Sequence, residues 1–165
     1  MKKIVFILFL IIILLVNNNT KSYIIPEEAI RFRIIANSNE LNDQLEKSII
    51  KNDVEEKLRE ILSDVNNYDD ANTVLTKNIA KIEEVVKNKS DNYNIKLGLN
   101  YFPEKKYKGV VYTKGLYNSL VITLGNGLGE NWWCVLYPPL CFIDESKIDD
   151  NQYSFFIKDL FNKIK

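Results

Sequence analysis

The spacing of apolar residues changes near residue 90 of this chain, and that change constrains the fold more than any other feature. Between residues 41 and 86 apolar residues recur at intervals of three and four, which predicts two long amphipathic helices. The first helix is expected to end near Asn66, and the second to start at a cap on Asp69 or Asp70. From Tyr93 onward the interval is two, which predicts strands.

A strand is also predicted before the helices, over residues 30–36, with Arg31 and Arg33 on one face and a helix cap at residues 37–39. The later strands are predicted at residues 93–101, 109–112, 119–124 and 132–137. A closing helix over residues 152–164 is expected to turn inward Phe155, Phe156, Leu160 and Phe161. This order favours an α+β single domain, in which a two-helix layer and a C-terminal helix pack on a mainly antiparallel sheet of about four to five strands.

The N-terminus has the pattern of an export signal. Lys2 and Lys3 precede an unbroken apolar run over residues 4–16, and three asparagines follow it. The run is shorter than the roughly 20 residues of a membrane span, so residues 1–22 are predicted to be a signal peptide cleaved after Ser22, or a retained signal anchor. Residues 23–29 are predicted to be a spacer without regular structure, and residues 30–165 a single exported domain.

Composition narrows the function. The chain has 22 basic and 22 acidic residues, and removal of residues 1–22 takes away three lysines, leaving 19 against 22, a net charge of −3. Such a body is a poor match for nucleic acid. With no histidine, it lacks the usual general base and zinc sites that mix Cys with His, so neither a metal nor a cofactor is expected. A hydrolase that uses two carboxylates stays open, since sequence cannot show their convergence.

Three features cluster near residues 125–141. Gly125–Gly129 is predicted to be a tight connection between strands, since it lacks the ending of a phosphate loop and a strand follows it. Cys134 and Cys141 flank Pro138–Pro139, which must end the preceding strand because proline cannot donate to a ladder. The two cysteines are either a disulfide or two small buried apolar residues.

Trp132 and Trp133 are neighbours on a predicted strand, so their side chains point to opposite faces. At most one of them can therefore lie in a given core face. The other must be covered by a helix, lie in a groove or face solvent, and an exposed tryptophan is a favoured anchor at protein interfaces. Burial of both between sheet and helices is the alternative.

The run GLGENWWCVLYPPLCFID, from Gly127 to Asp144, resembles the signature of the stage II sporulation protein R family. The segment IRFRIIANSNELNDQ, from Ile30 to Gln44, is similar to that family's opening block. One departure lies at residues 113–117, where the family pattern is of the type Pro-Ala-Gly-x-Tyr and only Gly115 and Tyr117 fit.

The resemblance implies an exported signal. Such proteins leave the forespore for the space between forespore and mother cell, where they trigger a membrane-embedded aspartic protease that cleaves the sigma-E precursor. It implies an activating ligand and not an enzyme. The expected partner surface or its scaffold comprises Gly127, Gly129, Asn131, Trp132, Trp133, Pro138 and Pro139. The alternatives are that this motif is a core hairpin that defines the fold, or that the chain is a membrane-tethered structural protein.

Overall fold

The computed structural model describes residues 23–24, 28–107, 110–143 and 150–164. The helices in these residues are α1 (Leu41–Ile61), α2 (Tyr68–Lys87) and α3 (Asp150–Ile164). The strands are β1 (Tyr23–Ile24), β2 (Ile30–Ile35), β3 (Tyr93–Phe102), β4 (Lys105–Tyr107), β5 (Val110–Tyr112), β6 (Gly115–Leu124) and β7 (Asn131–Tyr137), and a 3-10 helix covers Leu140–Phe142. From β2 onward the order is strand, two helices, strands and helix, which confirms the predicted α+β class.

The larger sheet has the strand order β3-β6-β2-β7. β3 pairs antiparallel with β6, and β7 pairs antiparallel with β2, while β2 and β6 are parallel. The parallel pair arises because the chain crosses both helices and β3 between β2 and β6. The sheet is therefore mainly antiparallel, as predicted.

A smaller sheet has the order β1-β5-β4. Its first strand lies in the segment that was expected to lack regular structure. That expectation is wrong for Tyr23 and Ile24, which pair in parallel with Val110 and Val111. Pro26, on which that expectation depended, lies outside the described residues.

Two apolar cores lie on opposite faces of the larger sheet. α1 and α2 cover one face, where Ile50, Val54 and Leu75 are buried with Phe32 and Leu120. The second core contains Ala29, Val110, Tyr112, Val135, Leu140, Tyr153 and Ile157. From Trp132 to Leu136, successive residues of β7 alternate between the two cores, as the pleat of a strand requires.

Tyr153 and Ile157 form the buried side of α3, with Leu160 packed beside them. Phe155, which was predicted to face inward, is 72% exposed. That prediction is wrong because residues 153, 157 and 160 follow the helical repeat, whereas residue 155 lies on the far side of the helix from them. The side chains of Phe156 and Phe161 lie outside the described residues.

Both predicted helix caps are displaced. The N-cap of α1 is Glu40, without a side-chain cap, and the Ser38 hydroxyl accepts a hydrogen bond from the Glu40 N–H at 3.1 Å. Asn67 caps α2, since its side-chain oxygen accepts from the backbone N–H of Asp70 at 2.8 Å. Asp70 therefore lies in the first turn, where a carboxylate also interacts favourably with the helix dipole.

Candidate functional site

The predicted partner-binding residues lie on β7 and at its two ends. β7 is an edge strand, with β2 as its neighbour in the described residues. Asn131 at its start is exposed, and Trp132 and Trp133 are each half-buried. At its other end Pro138 is buried and Pro139 is exposed, and the peptide bond before Pro138 is cis.

The two tryptophan rings point to opposite faces, as predicted. Trp132 lies on the helix side, where its ring centroid is 5.7 Å from that of Phe32, and the Lys51 ammonium lies 4.6 Å from the Trp132 centroid. Trp133 lies on the other side, 4.8 Å from the ring centroid of Tyr112. Each ring therefore has one packed part and one accessible part, which suits an interface anchor.

Both rings line a cavity of about 780 Å³ that runs beside β7, which we call the β7 groove. One wall comes from α1 and contains Lys51, Glu55 and Arg59. The remaining lining comes from β4, β5, α3 and the segment after β7, and comprises Lys105, Tyr107, Tyr112, Tyr153, Leu140, Cys141, Phe142 and Ile143. This volume lies within the usual range of ligand-binding clefts.

The charged residues of the groove are mainly basic. Among the described lining residues, Lys51, Arg59 and Lys105 stand against one carboxylate, Glu55, which gives these residues a combined charge of +2. Lys51 forms an ion pair with Glu55 at 2.7 Å, and Arg59 lies 5.2 Å from the ring centroid of Phe142. Burial raises the pKa of Glu55, although the hydrogen bond and positive charge of Lys51 oppose that rise.

A disulfide joins Cys134 to Cys141, with their Cα atoms 5.3 Å apart. Of the two interpretations of the cysteine pair, the disulfide is therefore the one present, and not two separate buried apolar residues. The bridge ties β7 to the 3-10 helix across the Pro138–Pro139 turn, and both cysteines line the groove. The predicted prolines thus shape the end of the groove without lining it.

The glycine segment connects β6 to β7, as predicted, and does not line the groove. Gly127 has a φ of +64°, which side chains rarely tolerate. A Cβ at Gly129 would overlap the backbone carbonyl oxygen of Ser38. The Asn37 side chain fastens this connection, because its oxygen accepts from the Asn126 N–H at 2.9 Å and its amide donates to Asp43. These glycines act as a scaffold that sets the start of β7.

Sequence reasoning missed a buried cation behind Trp133. The Arg31 side chain has no exposed surface, and its guanidinium carbon lies 3.4 Å from the Tyr117 ring centroid and 5.4 Å from that of Trp133. One nitrogen donates to the Thr113 carbonyl, while Nε and Nη1 have no hydrogen-bond partner among the described residues. Burial lowers the Arg31 pKa to about 10, although electrostatic interactions with the Tyr117 and Tyr112 side chains oppose part of that fall.

Gly115 and Tyr117, the two residues of the 113–117 segment that fit the family pattern, are in contact. A Cβ at Gly115 would lie 3.2 Å from Cε2 of Tyr117. Glycine therefore leaves room for the ring that stacks on Arg31.

In the ranges that the structure covers, no helix has the length and apolar character needed to cross a membrane. The apolar run over residues 4–16 lies outside those ranges, as does the predicted cleavage point. The described His, Cys, Asp and Glu side chains form no group of three or more that could hold a metal ion. Among the described residues lining the groove, Glu55 is the only carboxylate.

Comparison with known proteins gives two matches and one negative result. Residues 26–147 match the family model described as Stage II sporulation protein R. The chain is also similar to Stage II sporulation protein R of Bacillus subtilis (strain 168), with 38% identity over 129 residues. That alignment covers 74% of this chain and 58% of the relative, so the chain spans less than two thirds of the relative's length. No solved structure gives a significant match.

Proposed function

We propose that this chain, which belongs to the stage II sporulation protein R family, activates the membrane-embedded protease that cleaves the sigma-E precursor, by direct protein contact. Membership makes it a sporulation protein. The proposal adds export into the space between forespore and mother cell, followed by binding to the protease there. In this role the chain is a ligand and not an enzyme.

The observation that carries the proposal is the position of the family's signature run. Asn131, Trp132 and Trp133 lie on an edge strand and line an open groove of about 780 Å³. Residues that served only as a core hairpin would have no reason to leave Asn131 exposed and both tryptophans incompletely buried. Tryptophan, tyrosine and arginine are the residues most enriched at binding hot spots, and all three line this groove.

Activation by contact sets an energetic requirement. A ligand shifts a receptor toward its active state only by binding that state more tightly. A change from 1% to 99% active receptor needs a preference of about 10⁴-fold, or roughly 5.5 kcal/mol. Aromatic anchors supply that difference where they pack against the active receptor and not against the resting one, and truncation of a single hot-spot residue typically costs about 2 kcal/mol or more.

Co-expression with the receptor protease and the sigma-E precursor in a non-sporulating host tests the proposal. We expect cleavage of the precursor that depends on this chain. Trp132→Ala and Trp133→Ala should each reduce cleavage at least tenfold with the folded state retained in thermal unfolding. Leu99→Ala is the matched control, because Leu99 is 72% exposed and lies on β3, at the opposite edge of the sheet.

Three results would count against the proposal. The first is wild-type chain that supports no precursor cleavage. The second is a set of tryptophan variants in which every loss of cleavage accompanies unfolding, which would favour the core-hairpin alternative. The third is release of soluble fragments when the purified chain is incubated with peptidoglycan, which would identify an envelope hydrolase.

Export is tested by fractionation and mass spectrometry of the expressed chain. We expect the chain outside the cytoplasm, either beginning at Tyr23 or with residues 1–22 retained as an anchor. Release of the chain from membranes with residues 1–22 missing would argue against the membrane-tethered structural role. Retention in the cytosol would contradict the proposed function.

A further inference from the structure

We propose that the partner occupies the β7 groove with an extended acidic segment, which adds a strand to the outer edge of β7. This inference rests on the proposed function and specifies how the contact is made. In such strand addition, main-chain hydrogen bonds supply affinity and alternate side chains supply specificity.

The backbone of β7 has an open side. β2 and β7 are antiparallel, with Ile35 opposite Asn131 and Arg33 opposite Trp133, and the Ala36 N–H donates to the Glu130 carbonyl at 3.5 Å. Directly opposed residues in such a ladder alternate between hydrogen-bonded and non-hydrogen-bonded pairs. Because residues 36 and 130 are bonded, Asn131, Trp133 and Val135 direct their N–H and C=O groups away from β2.

Those outward groups face the groove. β7 has a single neighbouring strand in the described residues, and the five residues Asn131–Val135 all line the cavity. An unpaired strand edge is a template for another strand. At about 3.3 Å per residue, these five positions span roughly 16 Å, which matches an added segment of about five residues.

The charges of the groove select an acidic segment. Successive side chains of an added strand would point alternately toward the α1 wall, with Lys51 and Arg59, and toward the opposite wall, with Lys105. Carboxylates on both faces of the strand would therefore meet cations. A second copy of this chain would instead oppose +2 with +2.

Proline substitution tests the main-chain contact. The Asn131 N–H points outward, so Asn131→Pro removes a donor from the groove and none from the β2 ladder. In the co-expression assay we expect cleavage with Asn131→Pro to fall at least tenfold below that with Asn131→Ala. Both variants lose the same amide side chain, and only proline loses the donor. Equal cleavage by the two variants, both folded, would overturn the strand addition.

The charge requirement is tested by neutralising exposed cations inside and outside the groove. We expect Arg59→Gln or Lys105→Gln to reduce cleavage at least fivefold. Lys96→Gln, an exposed lysine on the far edge strand β3, should change it less than twofold. Equal effects of all three would mean that general surface charge, and not the groove, governs the contact, and would overturn the acidic segment.

A peptide-binding experiment separates the inferred strand addition from the proposed function. The probe is a ten-residue peptide of alternating Glu and Val with blocked ends, titrated into the full chain. We expect at least tenfold weaker binding both for the Lys–Val analogue and for a Glu–Val peptide N-methylated at alternate residues. Absent binding, equal binding of the three peptides, or displacement of the probe by peptidoglycan fragments would overturn the inference. Failure of wild-type chain in the cleavage assay would refute the proposed function alone.

Discussion

Loss of the disulfide that holds the end of the groove should destabilise the chain by a calculable amount. Cys134 and Cys141 are seven positions apart and close a loop of eight residues. In the chain-entropy model, a loop of that size restricts the unfolded chain by about 8 cal/mol/K, or roughly 2.5 kcal/mol at 25 °C. For a domain of this size, that corresponds to a fall in melting temperature of about 5–10 °C.

Urea unfolding of the oxidised and the reduced chain measures this difference. The variant Cys134→Ala/Cys141→Ala is the control, since a reductant should not change its stability. It should lie at or slightly below the reduced wild type, because both cysteines also pack against the core. Oxidised and reduced chains that unfold at the same urea concentration, or a double variant that responds equally to reductant, would refute the loop-entropy reasoning.

Three further predictions concern the scaffold, each read by urea or thermal unfolding. Asn67→Ala should cost about 1 kcal/mol, since it leaves the Asp70 N–H without its cap; an unchanged midpoint would contradict this. Gly129→Ala should cost roughly 1–3 kcal/mol, because its Cβ overlaps the Ser38 carbonyl; a stabilised variant would contradict this. Hydrogen bonds from Ser38 and Asn37 lower the Asp43 pKa from 3.8. The stability that the Asp43 carboxylate contributes is therefore present above pH 3.8 and is lost as the pH falls. The stability difference between the wild type and Asp43→Asn should shrink on acidification, and a constant difference would contradict this.

The periodicity of the apolar residues predicted which side of each element is apolar, but not how much of that side is buried. In α2 the predicted stripe is covered along its length, and Ala71, Leu75, Ile82 and Val86 are all buried. In α1 the same pattern begins at Leu41, Leu45 and Ile49, which are 74%, 51% and 51% exposed. The difference lies in what packs against each helix. An apolar stripe in the sequence indicates an apolar helix face, whereas the burial of that face depends on a partner element that the local sequence does not specify.

The sequence identified the residues of the candidate site that are consecutive in the chain, but not the residues that tertiary packing brings next to them. The run from Asn131 to Pro139 was recognisable, because its residues are consecutive and unusual. On α1, Lys51, Glu55 and Arg59 are four residues apart and so share one face. That they face β7, and that Lys105 closes the other side, depends on tertiary packing. A strand arginine would be expected at the surface, so nothing local indicated that Arg31 would be fully buried.

The surroundings of Trp133 bear on how tightly the proposed contact with a receptor could bind. Its ring contacts Tyr112 and Phe102 edge-on, with centroid distances of 4.8 and 6.0 Å, while Arg31 lies beside it. The neighbouring Cys134 is fixed by the disulfide. An anchor held in this way has little conformational freedom left to lose on binding, so less of the contact energy offsets ordering in the ligand. That saving raises the affinity for both receptor states alike, so the preference that activation requires has to come from contacts that Trp133 makes with the active state alone.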